Sequence, residues 1–268
     1  MTKVSIKTAK EIEIMREGGR RLAQVREEVA AAAKPGSTGI ALDKLADKLI
    51  TKLGGEASFK MVPGYHWATC ININETVVHG IPDGNRLHVG DVVGIDIGMY
   101  FKGFHTDTST TVVIQSAIGA TNPKRIDFLE AGKAALAKAL SVARPGKRIW
   151  DVSWAMQDTI EKKGYSVVKA LTGHGIGRAL HEEPAIPCFV VGDRKDSPKI
   201  TAGMALAIEV MYNQGTDEVV YKNRDGWTII TADDKMSGLF EETVAVTENG
   251  SIVLTKAHYD TRPTKHQD

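Results

Sequence analysis

The fold follows first from VVGIDIGMYFKGFHTDTSTTVV, residues 92–113. β-branched and aromatic residues recur along it, and Lys102-Gly103 near its middle offers a two-residue hairpin turn. With the turn there, residue 98 faces residue 107, and Asp96 shares a face with Gly98 because side chains alternate along a strand. Asp96 and Asp107 then become diagonal neighbours, roughly 7 to 8 Å apart at Cα. Two carboxylates so placed repel each other unless they share a cation, whereas either aspartate read alone is an ordinary turn or cap residue. Gly94 and Gly98 fall on the same face and leave room beside Asp96.

Two further acidic residues sit in apolar, strand-like runs. Glu209 lies in MALAIEVMY (204–212), and Glu241 in LFEETVAV (239–246). Glu209 alternates with Ala207 against Leu206 and Ile208, and Glu241 shares parity with Thr243 and Ala245 against Val244 and Val246. Both therefore project from the less apolar face of their strands, although a solvated strand face reads the same way. Glu242 competes with Glu241, since the choice depends on register. An acidic side chain in a buried strand is costly unless something positive compensates it, and one metal centre would serve all four. GHGIGRALHEEP (173–184) adds His174 and His181 among glycines that admit close backbone approach. Four carboxylates and one imidazole match the mostly oxygen ligand set of Mn, Fe, Co or Zn pairs better than a thiolate zinc site.

The remaining chain supplies helices. Thr8 with Glu11 three residues later is a capping-box pattern, followed at helical spacing by Ile12, Met15, Gly19, Leu22, Val29 and Ala33 until Lys34-Pro35-Gly36. A second helix spans about Thr38 to Leu53, with Leu42, Leu45, Leu49 and Leu53 on one face. Asn122-Pro123 opens a third with Ile126, Leu129, Leu136 and Leu140, which Arg144-Pro145-Gly146 ends. A fourth runs through Val152, Met156 and Ile160. Each helix pair is followed by strand-like segments, so the chain reads as an internal repeat, about 8–120 and 121–255, with a short C-terminal tail. The expected class is α+β: one catalytic domain, residues 1–268, in which two pseudo-symmetric helix pairs cover one face of a curved antiparallel sheet.

Composition bounds the function. With 34 Lys+Arg against 33 Asp+Glu, the net charge of +1 gives no electrostatic footprint for nucleic acid or an anionic membrane. No apolar run approaches a membrane span, the N-terminus lacks an apolar signal core, and Cys70 and Cys188 are the only cysteines. A cytoplasmic protein with free thiols is expected. HExxH, GxSxG, the phosphate-binding GxxxxGK[ST] and GxGxxG are all missing.

GHGIG, HEEP, the DTS that begins at Asp107, VHGIP at 78–82 and RDGWT at 224–228 together resemble the type I methionine aminopeptidases, metallopeptidases of the pita-bread fold. The resemblance covers roughly residues 8–255, with the motifs in the family's order. It implies that Asp96, Asp107, His174, Glu209 and Glu241 hold two divalent metals, Asp107 and Glu241 bridging them. It makes Glu209 the proton shuttle, and His79 and His181 catalytic and substrate-binding histidines. It lines an apolar methionine pocket with Tyr65, Cys70, Trp227 and His79. The implied reaction is removal of the initiator methionine from nascent chains by a monomer, with any ribosome contact either transient or made by folded surface.

The chain departs from the usual pattern in four places. Only Trp67, Ala68 and Thr69 separate GYH from Cys70, Leu180 precedes His181, Val210 follows Glu209, and Glu242 follows Glu241. Two other functions fit the same fold. One is X-Pro aminopeptidase or dipeptidase activity, against which stands the expectation that those relatives carry an extra N-terminal domain. The other is a non-catalytic binding role, which generally goes with lost metal ligands.

Overall fold

The protein is described by a computed structural model over residues 4–116 and 122–257. The expected repeat boundary at 120/121 and the end of the C-terminal tail lie outside the described residues. Chain order is α1 (Ala9–Ala32), α2 (Gly39–Lys52), β1 (Glu56–Ala57), β2 (Thr69–Ile73), β3 (Thr76–Val78), β4 (Val92–Phe101) and β5 (Phe104–Val113). The second half continues with α3 (Pro123–Val142), α4 (Ile149–Glu161), β6 (Ser166–Val167), β7 (Thr172–Gly175), β8 (Glu182–Pro187) and β9 (Ala205–Asn213). It ends with β10 (Val219–Tyr221), β11 (Ile229–Thr231), β12 (Ser237–Thr247) and β13 (Gly250–Val253).

Helix starts follow local chemistry. The Thr8 hydroxyl accepts from the Glu11 amide (3.3 Å) while the Glu11 carboxylate accepts from the Thr8 amide (2.8 Å), so two otherwise unpaired amides are bonded. Thr38 caps α2 and Asn122 caps α3, where Pro123 loses nothing by lacking an N–H at the first position. Val152, Met156 and Ile160 of α4 are fully buried, as their spacing predicts. Ile126 differs from expectation. It is 37 % exposed, because the buried stripe of α3 runs through Phe128, Leu129, Ala131, Gly132, Ala135, Leu136 and Ala139 instead.

Among the described residues every strand pairing is antiparallel. One ten-stranded sheet runs β1-β4-β5-β12-β9-β7-β8, with β2 added on β4, β13 on β12 and β6 on β9; a small sheet runs β10-β11-β3. The hairpin between β4 and β5 turns at Lys102 (φ 48°) and Gly103 (φ 92°), the two positive φ values that match the twist of the strands. Gly98 faces Asp107 as expected.

Alternation along the strands divides the two faces of the sheet. Val93, Ile95, Ile97 and Met99 of β4 pack with Leu22, Val25 and Val29 of α1 and Leu42 and Ile50 of α2. Leu206, Ile208 and Val210 of β9 and Val244 and Val246 of β12 pack with Phe128 and Ala135 of α3 and Val152 and Met156 of α4. Each helix pair thus covers its own half of the same face, and the opposite parity is left for the acidic residues.

Candidate metal centre

Register, rather than any single motif, assembles the site. Asp96 of β4 faces Ser109 of β5, Ser109 faces Glu241 of β12, and Glu241 faces Glu209 of β9. Three carboxylates therefore lie in one line across four strands. Asp107 stands two residues along β5 from Ser109, and Thr243 holds it there by bonding both its amide (2.9 Å) and its carbonyl (2.7 Å). Thr243 faces Ala207, which also faces His174 of β7. This second line brings Asp107 and His174 onto the same face as the first. Ligand atoms of Asp107, His174 and Glu241 all lie within 4.8 Å of one another. Asp96, on β4, lies beside that trio at one end, and Glu209, on β9, stands between the strands that carry Glu241 and His174.

The glycines beside His174 let β7 fit between its neighbours. A Cβ on Gly175 would strike the Glu183 carbonyl, and one on Gly173 would sit 2.7 Å from the Ala207 carbonyl and 3.3 Å from Glu209 Cγ. The His174 ring then points its Nδ1 at the Gly175 carbonyl, 2.8 Å away. Donation of a proton to that carbonyl leaves Nε2 as a lone-pair donor facing the carboxylates, the tautomer a metal ligand needs.

The carboxylates raise one another, on top of the effect of burial. Burial first, then Asp107 and Glu209, pushes Asp96 well above the usual carboxylate range. Burial raises Asp107 to about 7, against the hydrogen bond from the Thr108 amide. Burial and then Asp107 raise Glu209 to about 8. Glu241 is also driven far up, by burial and then by Asp107, Glu209 and Asp96. Burial and then His181 lower His174 to about 4, which keeps its imidazole neutral. Asp96 Oδ1 is buried without a hydrogen-bond partner. An oxygen-rich set that repels itself, an orphaned buried carboxylate oxygen and a neutral imidazole fit hard or borderline divalent cations.

Glu242 points the other way. Its carboxylate meets Arg26 of α1 at 2.9 Å and accepts from Thr255, on the helix-covered face. His181 lies on the rim, its ring centroid 4.5 Å from that of His174. His79 follows β3 in a left-handed conformation (φ 56°), its ring 6.4 Å from Trp227, and burial and then His181 lower its pKa. Tyr65 packs on Trp227 at 5.1 Å, donates to the Thr69 carbonyl (2.9 Å) and lies 3.2 Å from the Cys70 sulfur. Cys70 faces Asp96 across β2 and β4, so this aromatic group adjoins the carboxylates. Tyr65 and Cys70 are 3 % and 4 % exposed, with Phe59 in the same cluster and Trp67 against Tyr65 at 5.3 Å.

Sequence reasoning missed Ser109 and Thr243. Both share parity with the candidate ligands on strands already identified, and that parity was the available signal. It also missed Trp67, which the shortened segment between Tyr65 and Cys70 sets against the Tyr65 ring.

A sequence profile described as metallopeptidase family M24 matches residues 13–248. Methionine aminopeptidase 1 of Bacillus subtilis is 39 % identical over 250 residues, covering 93 % of this chain and 98 % of that protein. The crystal structure of a methionine aminopeptidase from Thermotoga maritima superposes with a TM-score of 0.90 at 36 % identity, covering 95 % of this chain and all of that one. A prolidase from Pyrococcus furiosus shares the fold alone, at 24 % identity and a TM-score of 0.74, with 66 % of its chain covered. The chain has the pita-bread fold and belongs to metallopeptidase family M24, among its methionine aminopeptidases.

Proposed function

We propose that the chain performs its family's reaction, hydrolysis of the first peptide bond behind an initiator methionine, with two divalent ions held by Asp96, Asp107, His174, Glu209 and Glu241. The observation that carries this reading is the alignment of Asp96, Glu241 and Glu209 through Ser109, with Asp107 and His174 beside them on one face. Divalent ions bound there supply Lewis acidity toward the scissile carbonyl and lower the pKa of the attacking water. Asp107 and Glu241, whose ligand atoms lie within 4.8 Å of each other, would be the residues shared between two ions.

The protein's own groups do the rest. Glu209, starting as the carboxylate, takes a proton from the nucleophile and passes it to the leaving amine; burial and then Asp107 raise its pKa to about 8, so it can hold that proton in between. His181, beside His174, donates to the carbonyl oxygen as charge develops on it. His79, beside Trp227, contacts the scissile nitrogen. Tyr65, Cys70, Trp227 and His79 form an apolar wall that suits a flexible thioether side chain. The enzyme acts as a monomeric single catalytic domain on nascent chains in the cytoplasm, and Co, Mn, Fe and Zn all suit its ligands.

The deciding experiment is hydrolysis of Met-Ala-Ser against Ala-Pro-Ala by metal-stripped protein titrated anaerobically with Mn(II), Fe(II) or Co(II). Metal-dependent release of methionine alone is expected, with activity reaching its plateau at two equivalents. A plateau at one equivalent would remove the two-ion reading. Cleavage of the proline peptide alone would move the chain to the X-Pro class, and no cleavage of either would favour a binding role.

A further inference from the structure

We propose that Lys7 is a positioning residue for His181, acting through Glu182 and the turn that joins His174 to His181. The proposal rests on the reading of His181 as a group that touches substrate. Lys7 precedes α1, and its amide is tied to the Gly203 carbonyl at 2.7 Å. Its ammonium lies 2.5 Å from Glu182 Oε2 and 3.2 Å from the Ser5 carbonyl, with the two charged side chains only 3 % and 13 % exposed. The other Glu182 oxygen accepts from the Ala179 amide (3.2 Å). Glu182 follows His181 directly and faces Gly175, the neighbour of His174, across β8 and β7. One carboxylate therefore links the N-terminal segment, the middle of the turn, β7 with His174, and the start of β8 directly after His181.

Residue sizes around the pair agree with that role. A Cβ on Gly177 would stand 2.9 Å from Glu182 Oε1 and 2.9 Å from Lys7 Nζ, so glycine there admits the ammonium. A second tether, Arg178 to Glu11 at 2.7 Å, spans the same two segments, but Arg178 is 68 % exposed and such a pair contributes little. The buried pair is the one that fixes the turn. Without its cation, Glu182 keeps the Ala179 amide but is left a partly buried charge with no counter-ion beside the peptide of His181, and the turn must shift to hydrate it. Displacement of about 1 Å at a reacting group costs on the order of 10²-fold in rate.

The test uses the metal-loaded protein with Lys7→Met, which keeps the aliphatic stem, and Glu182→Gln, alone and together, each in the native and the His181→Ala background. Lys7→Met is expected to keep metal stoichiometry and KM while kcat falls on the order of 10-fold to 100-fold. Adding Glu182→Gln should recover most of that loss, because no unpaired charge then remains. In the His181→Ala background Lys7→Met should cost no further kcat, since the group it positions is gone. An equal loss of kcat in both backgrounds, or a lowered melting temperature with unchanged kcat, overturns the proposal alone. Undiminished kcat in His181→Ala itself would overturn the reading of His181 and this proposal with it. If Lys7→Met does not fold, Glu182→Gln compared across the two backgrounds gives the same discrimination.

Discussion

Glu241 and Glu242 are the same residue type, adjacent on one strand and both largely shielded from water, yet they occupy opposite electrostatic worlds. Glu241, 3 % exposed, looks onto Asp96, Asp107 and Glu209 and is pushed far up by burial and by their charge. Glu242 looks onto α1, where Arg26, Thr255 and Thr108 offset part of the rise that burial causes. The helix face has its cation built into the chain, whereas the site face gathers carboxylates that raise one another's pKa. A strand's period of two is enough to produce this difference, so the environment of each glutamate follows from its face before it follows from residue type.

The sharpest break in the comparison is the pair Glu241→Gln and Glu242→Gln. The first should lose metal stoichiometry and about 4 kcal/mol of transition-state stabilisation, on the order of 10³ in kcat/KM. The second should keep full stoichiometry, with activity within about 10-fold of native, because it supports the site only through neighbouring backbone. Metal analysis after gel filtration checks both, and full metal in Glu241→Gln would end the assignment.

The histidines extend the contrast. His174→Ala should lose metal and activity together. His181→Ala should keep the metal but lower kcat on the order of 10²-fold, as expected for removal of one donor to a developing oxyanion. Loss of metal in His181→Ala would place it among the ligands instead.

On the helix face the expected effect is on stability. Arg26→Met strands Glu242, whose side chain is 17 % exposed, and should destabilise the protein by about 2 kcal/mol, below the range for fully dry pairs because some water remains. Arg26→Met with Glu242→Gln should regain part of that loss in urea titrations. Metal content should hold throughout, and its loss would show that the two faces are not independent.

These differences also explain what could be read from the chain. The helix ends were legible because Thr8, Glu11, Thr38 and Asn122 act on amides three residues away or fewer. The hairpin was legible for the same reason, since Lys102 and Gly103 set the register of β4 and β5 locally. Parity gave the faces of Glu209 and Glu241, but nothing in either segment states that they oppose each other. That pairing is set where β12 meets β9, by Leu206, Ile208, Val244 and Val246 packing under the second helix pair. The Lys7–Glu182 pair joins residues 175 positions apart and left no local trace. Ile126 was misplaced because the α3 stripe follows the small residues Ala131, Gly132 and Ala135, which let the helix lie close to Tyr212 and Phe240.

The subtlest consequence concerns the metal-free protein and pH. Asp107 at about 7 and Glu209 at about 8 lie above their values in an unfolded chain, so the folded state binds more protons than the unfolded state between roughly pH 4 and 8. Their contribution is fully present below the unfolded pKa and is lost as pH rises through 7 and 8. His174, depressed to about 4, acts in the opposite sense only below its ordinary pKa near 6.5, where an unfolded chain would take up a proton that the folded one refuses. Between pH 6.5 and 8.5 the carboxylates therefore act without that opposition. The melting temperature of the metal-free protein should fall by a few degrees across this window. Metal must displace those protons to bind, so its affinity should rise over the same window, and calorimetry in buffers of different ionisation enthalpy should register proton release. Glu241→Gln should flatten both trends, because it removes a charge that the other three carboxylates must otherwise face, whereas Glu242→Gln should leave both slopes in place. A metal-free protein whose stability rose from pH 6.5 to 8.5 would mean that a cation within the chain already compensates the site face, and the contrast with the helix face would disappear.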